Sequence, residues 1–579
     1  MKVVSFVLFA LLMSIFGALL FAGSSSSVHM PLLAVSGHVP ENASASDEHV
    51  YLQGSVASLD LEMKPGKGRI FVDTYPLTQL DTVISTRLAK EFACEYVDVD
   101  CSKYDFFYTI RSNSPLIGGP SAGAAMAIAT IAALEGFSVH DVAITGTINS
   151  GGLIGVVAGV RQKIDAASRE GIGRVMVPAF TPPIILENTT LDPALYGALR
   201  GVEVIPVTSI DEALMQLSPR AVHTSEPLQP DGAYQEHMQL ITQDLCREAT
   251  FALHGALPQT QGEEPDVLFL DFLAEQYNDS NTTTGRYLYQ GIRKLSQAYD
   301  ARSLHRYYAA ASFCFGASID LGMARNMTPD MQQLGEDIAA QMYAMNNQSI
   351  LTLNDLQTLM IVRERLDEAQ RTLDDASVND TYALVYASQR LRTAQLWGQF
   401  FALEGEPLQI DQQSLSYACT TALQEAQIRR QYIDTLFDFP LRDDFSRAES
   451  YAQEGEYPLC LLSASQAKAQ MNVVLSLLGV NQSQAHELLV LKLAIIEQAI
   501  SSQQGFPLLA YSYYEYALSL ADHDISSALL YAEYALELSD LSVFFPRESV
   551  WHLPQEEIGL ILIGAAIGLL ISYFARRSQ

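Results

Sequence analysis

A serine within a segment of small residues could act as a nucleophile. Ser121 lies in the sequence IGGPSAGAA at 117–125, after two glycines and Pro120 and before an apolar run. A serine that opens a helix lies where backbone N–H groups are free and the helix dipole is positive, which suits a developing oxyanion. Serine is equally a preferred helix N-cap. The local sequence leaves both roles open for Ser121.

A nucleophilic serine needs a base, and the surrounding sequence offers few candidates. His140 is the nearest histidine, and nothing around it indicates a triad. Lys163 lies 42 residues after Ser121, with Val160 and Ile164 beside it. Partial burial there could desolvate the amine and make it neutral near neutral pH. A solvated charge on a helix surface is the alternative for this lysine.

The elements that must position these residues lie in a region from about 28 to 220, where strand and helix patterns alternate. Strands are predicted at 29–37, 54–63, 68–75, 104–113, 141–148, 174–179 and 202–207, and helices at 77–93, 121–136, 161–171 and 209–217. Ser209 is the expected cap of the last helix, with Glu212 three residues further on. The region is therefore expected to fold as an α+β domain.

A polar linker, 221–233, leads to a second region, 234–545, in which nearly all of the sequence predicts helices. The stretches 447–471 and 513–539 resemble tetratricopeptide helix pairs, and Pro458 suits the first turn of a helix. Because this spacing is not sustained, we predict an irregular, all-α helical array. A packed helical bundle without a ligand is the alternative.

Both ends of the chain predict membrane segments. Residues 3–22 are uncharged and almost wholly apolar, so 1–27 is either a cleaved signal peptide or a signal anchor. Residues 558–575 predict a transmembrane helix, and the basic tail after it places the C-terminus in the cytoplasm. The main domains are therefore expected outside the cytoplasm, at the cell membrane. Eight N-x-S/T sequons agree with this topology: Asn42, Asn188, Asn278, Asn281, Asn326, Asn347, Asn379 and Asn481.

Composition excludes several classes of partner. The chain has 35 basic and 66 acidic residues, a net charge of −31, which argues against binding nucleic acid. No G-x-x-x-x-G-K-[ST] sequence occurs, so neither nucleotide nor any other cofactor is predicted. The six cysteines form no CxxC pair, and no metal site is predicted. Cys94 and Cys101 form either a small disulfide loop or two free core thiols.

Residues 121–178 resemble the proteolytic domain of the Lon protease family. GPSAG at 119–123 matches the nucleophile motif of that family, ITGTI at 144–148 its threonine-glycine strand, and 152–178 the segment with its catalytic lysine. The resemblance implies a dyad in which Ser121 attacks a peptide carbonyl and Lys163 takes and returns the proton. It further implies that Thr145 hydrogen-bonds the lysine and that N–H groups around Gly119 and Ser121 hold the oxyanion.

The sequence departs from the family pattern near the dyad. An acidic residue two before the proline is replaced by Gly118, a glutamate by Thr147, and a glycine pair by Ala158–Gly159, while Arg161 takes the first place of the family's lysine pair. The dyad remains despite these differences. Because Lon-like domains form rings, the resemblance also implies a homo-oligomer.

These observations favour an ATP-independent, membrane-anchored serine endopeptidase that hydrolyses unfolded or membrane-proximal extracytoplasmic proteins and peptides. The acidic composition, the sequons and the missing ATPase together favour an archaeal surface protein. One alternative is a catalytically inactive Lon-like surface scaffold or binding protein that works through its helical region. A signal-peptidase-like enzyme would also use a serine and a lysine, but the motif order fits Lon better.

Overall fold

The computed structural model describes most of the chain between residues 26 and 545. The described ranges are 26–38, 51–75, 80–112, 119–186, 189–217, 228–260, 265–346, 348–377, 380–405, 410–436, 444–503 and 505–545. The predicted transmembrane helix at 558–575 and nearly all of the predicted segment 1–27 lie outside these ranges. Within them, no helix has both the length and the apolar character that crossing a bilayer requires.

The first region is an α+β fold. Its strands are β1 (Ser26–His38), β2 (Tyr51–Pro65), β3 (Ile70–Tyr75), β4 (Tyr104–Ser112), β5 (Val142–Ile144), β6 (Thr147–Ile148), β7 (Ile154–Gly155), β8 (Arg174–Pro178), β9 (Ile184–Leu186), β10 (Thr189–Leu191) and β11 (Glu203–Val207). Its helices are α1 (Leu80–Tyr96), α2 (Gly123–Glu135), α3 (Val160–Arg169), α4 (Pro193–Ala198) and α5 (Ile210–Leu217).

Two sheets organise this region. The larger has the order β1-β2-β4-β3, in which β1, β2 and β4 pair antiparallel and β3 runs parallel to β4. Alternate residues of β2 point into the core, with Leu59 and Leu61 fully buried, as the period of a strand requires. The smaller sheet, β11-β8-β5, is parallel. Short pairs β6–β7 and β9–β10 complete the region.

Helix α2 is buried along almost its whole length. Its residues from Gly123 to Ala133 are all buried, because alanines and glycine let α1 and strands β1 and β2 approach closely. The α-helix begins at Gly123 rather than at 121, after a separate 3₁₀ turn over Pro120–Ala122. Ala122 is the N-cap of α2, so Ser121 does not cap this helix.

The last predicted cap is present in a different form. Ser209 Oγ accepts the N–H of Glu212 at 3.3 Å, as expected for a cap. The Glu212 carboxylate reaches back to the N–H of Thr208 at 2.7 Å instead of that of Ser209. The reciprocal bond is therefore displaced by one residue.

The second region is helical throughout its described part. Its helices are α6 (Gly232–Ala256), α7 (Val267–Glu275), α8 (Thr283–Ser303), α9 (Tyr307–Ala324), α10 (Met331–Asn346), α11 (Leu353–Asp375), α12 (Thr381–Trp397), α13 (Gln412–Leu436), α14 (Asp444–Glu454), α15 (Tyr457–Leu477), α16 (Gln482–Ser501), α17 (Leu508–Leu520) and α18 (Ile525–Glu537). The two helix pairs expected from the sequence are α14–α15, with Pro458 in the first turn of α15, and α17–α18.

The two regions share apolar cores. Tyr432 and Ile433 of α13 belong to the same buried cluster as Leu88 of α1. Leu153 and Phe180 of the first region are part of the core of the helical region. The helical region is therefore packed directly against the α+β region.

Three disulfides link the six cysteines of the chain. Cys94 pairs with Cys101, so the alternative of two free thiols is wrong. Two further disulfides join cysteines 246 with 314 and 419 with 460. The sequence did not predict these two, because their partners are 68 and 41 residues apart and meet only when helices pack.

Candidate active site

The turn that carries Ser121 depends on a glycine conformation. Gly119 has φ +100° and ψ 147°, a combination that residues with a Cβ rarely adopt. Pro120 then fixes the entry into the 3₁₀ turn. Ser121 is half-buried in this turn, immediately before the N-terminus of α2. It therefore lies near free N–H groups and the positive end of the α2 dipole.

The threonine-glycine segment holds the Ser121 turn through three hydrogen bonds. The Ser121 carbonyl accepts the N–H of Gly146 at 2.9 Å and the hydroxyl of Thr145 at 3.3 Å. The Gly146 carbonyl in turn accepts the N–H of Ala124 at 3.0 Å. A Cβ at position 146 would lie 2.3 Å from a side-chain carbon of Ile154, so only glycine permits this approach.

Helix α3 places Lys163 in the interior. Its N-cap, Gly159, has φ +70°, and a Cβ there would lie 2.6 Å from a methyl carbon of Val35. Arg161 and Lys163 lie two residues apart on this helix, but Arg161 is exposed whereas Lys163 is only 2% exposed. Burial lowers the pKa of Lys163 to about 7. The lysine that matches the second place of the family's pair is thus the buried one.

One hydroxyl group connects Lys163 with the Ser121 turn. Lys163 Nζ donates to Thr145 Oγ1 at 2.9 Å, and the same hydroxyl donates to the Ser121 carbonyl at 3.3 Å. A hydroxyl has a single proton, so Thr145 can only accept from the lysine in this arrangement. A neutral Lys163 amine therefore keeps its lone pair free to take a proton. The structure brings Ser121, Thr145 and Lys163 together, although they come from three separate segments.

The N–H of Gly119 is already engaged. It donates to Asp81 Oδ2 at 3.0 Å, while Asp81 Oδ1 accepts the N–H of Thr82 at the start of α1. This amide, which the resemblance assigned to the oxyanion, is not free in this conformation. No sequence signal predicts this contact, because Asp81 resembles any acidic residue in the first turn of a helix.

Among the departures from the family pattern, Thr147 has a definite place. Thr147 is buried in β6, and its hydroxyl bonds Asn149 Oδ1 at 3.3 Å. Gly118 lies outside the described residues. Across the part of the chain that the structure describes, no group of three or more His, Cys, Asp or Glu side chains is arranged to hold a metal ion.

The first region is similar to known proteins. Residues 113–217 match the family model of the Lon protease (S16) C-terminal proteolytic domain. The chain is 29% identical over 170 residues to a Lon protease of Paraburkholderia phytofirmans, covering 28% of this chain and 20% of that protein. It is 32% identical over 116 residues to an archaeal Lon protease of Methanocaldococcus jannaschii, covering 20% of this chain and 16% of that protein.

A third relative, an archaeal Lon protease of Pyrococcus abyssi, is 35% identical over 120 residues, which is 21% of this chain and 11% of that protein. The chain thus spans about a fifth or less of the length of these relatives. The resemblance predicted from the sequence is confirmed: residues 113–217 of this chain match the Lon protease (S16) C-terminal proteolytic domain.

Proposed function

We propose that the chain is a serine peptidase in which Ser121 is the nucleophile and Lys163 the general base. The observation that carries this proposal is the buried Lys163 amine, with its pKa lowered to about 7, one hydroxyl away from the Ser121 backbone. Burial causes that shift, and burying an amine lowers the free energy of unfolding at any pH at which the amine is charged. A neutral amine beside a serine is the arrangement that Ser–Lys catalysis requires.

The reaction follows from these groups. Lys163 removes the hydroxyl proton of Ser121 as the oxygen attacks a peptide carbonyl, and it gives the proton to the leaving amine as the C–N bond breaks. The acyl ester left on Ser121 is then hydrolysed by a water molecule that Lys163 deprotonates, and the proton returns to the Ser121 oxygen. Thr145 holds the amine in place and has no further proton to offer. Since Asp81 occupies the Gly119 amide, the N–H of Ser121 at the start of its turn is the candidate oxyanion donor.

We further propose that the peptidase acts outside the cytoplasm, anchored by its predicted terminal segments. All six cysteines pair in disulfides, a pattern typical of oxidising compartments. The eight sequons support the same location. Without a nucleotide-binding motif, hydrolysis is independent of ATP and limited to unfolded or short protein substrates. We also propose that the chain forms a homo-oligomer.

The test uses the full-length chain in detergent micelles and an unfolded protein substrate such as casein. We expect cleavage that Ser121→Ala and Lys163→Met both abolish, with equal rates in the presence and absence of ATP and Mg²⁺. Matched controls are Ser138→Ala and Lys67→Met, which change exposed residues of the same region. Controls as inactive as the site variants, or site variants as active as the parent, would refute the dyad. A silent parent would favour the surface scaffold.

A further inference from the structure

A buried ion pair of the helical region reaches the segment that carries Thr145. Lys492 of α16 is 1% exposed and Glu533 of α18 is 0% exposed, and the two side chains form an ion pair. Ser150 of the first region joins them: its hydroxyl donates to Glu533 Oε1 at 2.8 Å and accepts from Lys492 Nζ at 3.1 Å. The hydroxyl thus connects this buried pair to the first region, while Glu533 Oε2 is buried without a hydrogen-bond partner.

Such a pair is a poor source of stability. Removing two charges from water costs about as much as their attraction returns, and apolar side chains of similar volume often do as well or better. Buried pairs can instead fix one arrangement of the elements they join. Here the elements are helices α16 and α18 and the turn that contains Ser150.

The turn is also held by close packing. Gly151 has φ +64°, and a Cβ there would lie 2.7 Å from a methyl carbon of Ile495 and 3.2 Å from one of Leu536. Helices α16 and α18 therefore rest directly on its backbone. The next residue but one, Leu153, accepts a backbone bond from Asn149 at 2.8 Å, which closes the turn.

From this turn a short, stiff path leads to the candidate dyad. Ser150 follows Thr145 by five residues, at most about 17 Å of extended chain. Strand β6, which lies between them, pairs with β7. At its start, Gly146 and Thr145 hold the Ser121 carbonyl, and Thr145 holds Lys163. A shift of the turn would therefore move the group that sets the distance between Ser121 and Lys163.

We propose that Lys492 and Glu533 are positioning residues for the peptidase site: by clamping Ser150 they fix the Thr145–Gly146 segment, and with it the Ser121–Lys163 pair. The helical region is then required for catalysis and not only for binding substrates. This inference rests on the proposed function for its kinetic consequence. Its structural consequence, the ordering of the 145–150 segment, can be measured independently.

The experiment replaces the ion pair by apolar side chains in the full-length chain, as Lys492→Met with Glu533→Leu. Stability in urea should be equal to or above that of the parent, because no buried charge is left unpaired. The kcat for a fluorogenic peptide should fall about 10- to 100-fold with little change in KM, since small displacements of reacting groups have effects of this size. Ser150→Ala should lower kcat by a similar factor, and Ser150→Thr should keep the parental kcat because it retains the hydroxyl.

The matched control removes another lysine–carboxylate pair of the helical region. Lys294 Nζ bonds Asp320 Oδ2 at 2.7 Å between α8 and α9, and Lys294→Met with Asp320→Leu makes the same chemical change there. We expect this variant to keep the parental kcat. An equal loss of kcat in the control would overturn the proposal, as would a parental kcat in the Lys492 and Glu533 variant.

Amide hydrogen exchange separates this inference from the proposed function. The Gly146 N–H, which donates to the Ser121 carbonyl, should exchange at least about tenfold faster in the Lys492 and Glu533 variant than in the parent. Its exchange rate in the control should equal that of the parent. If the parent has no peptidase activity, the proposed function fails and exchange alone decides the clamp. Unchanged protection of Gly146 in the variant would overturn it.

Discussion

Replacing the buried Lys163 by methionine should make the protein more stable while it abolishes hydrolysis. Burial lowers the pKa of Lys163 from 10.5 to about 7. The unfolded chain therefore binds one more proton than the folded chain between these two pH values, and stability rises with pH across that window. Below pH 7 the full penalty is present, roughly 5 kcal/mol at about 1.4 kcal/mol per pH unit.

The expected gain for Lys163→Met follows from this penalty and one lost contact. Methionine has a similar shape but leaves Thr145 Oγ1 without its donor, a loss of about 1 kcal/mol. At pH 6 the variant should therefore be more stable by about 3–4 kcal/mol. At pH 10, where the penalty has nearly vanished, the difference should be close to zero.

Urea unfolding of the parent and the variant at pH 6, 8 and 10 measures this difference. Lys67→Met, which changes an exposed lysine of the same region, should stay within about 0.5 kcal/mol of the parent at each pH. A variant that is destabilised at pH 6, or whose effect does not depend on pH, would refute a buried lysine with a lowered pKa. The proposed base would then lose its main support.

Three further predictions concern other parts of the structure. Gly119→Ala should lower the free energy of unfolding by about 1–3 kcal/mol through backbone strain alone, since no atom obstructs the new methyl group, and it should lower kcat by shifting Ser121. Urea unfolding and peptide kinetics measure the two effects, and parental values in both would contradict the strain. Cys246→Ala with Cys314→Ala should lower the free energy of unfolding by about 4 kcal/mol because the disulfide closes a 68-residue separation, and an unchanged thermal transition would argue against the pairing. Burial raises the pKa of Glu515 from 4.5 to about 8, so the contribution of this carboxyl group to the stability of the parent should decline as pH rises through this window. Glu515→Gln, which has no proton to lose, should therefore gain stability relative to the parent between pH 6 and 9 in urea unfolding, and a difference that does not depend on pH would refute the shift.

Local pattern was sufficient for most of the elements and for proposing the candidate dyad, but it missed strands β9 and β10 and helix α4. Alternation along β2 and helical spacing in α3 follow from the geometry of a single element, so the sequence predicts them without knowing the neighbours. Ser121 and Lys163 were found because three motifs follow one another in a fixed order. The 3₁₀ turn before Gly123 was missed, since a serine after a proline is compatible with either type of helical start.

The sequence by itself thus predicted most of the types of element, singled out Ser121 and Lys163 as the candidate dyad and carried the resemblance of 113–217 to a known proteolytic domain. Only the tertiary structure decided that Asp81 engages Gly119 from 38 residues away and that Lys492 reaches Ser150 across 342 residues. Hydrogen bonds form only within about 3 Å and in defined directions. Periodicity records which face of an element is buried but not which distant surface covers it, so such contacts exist only once the helices and sheets have packed.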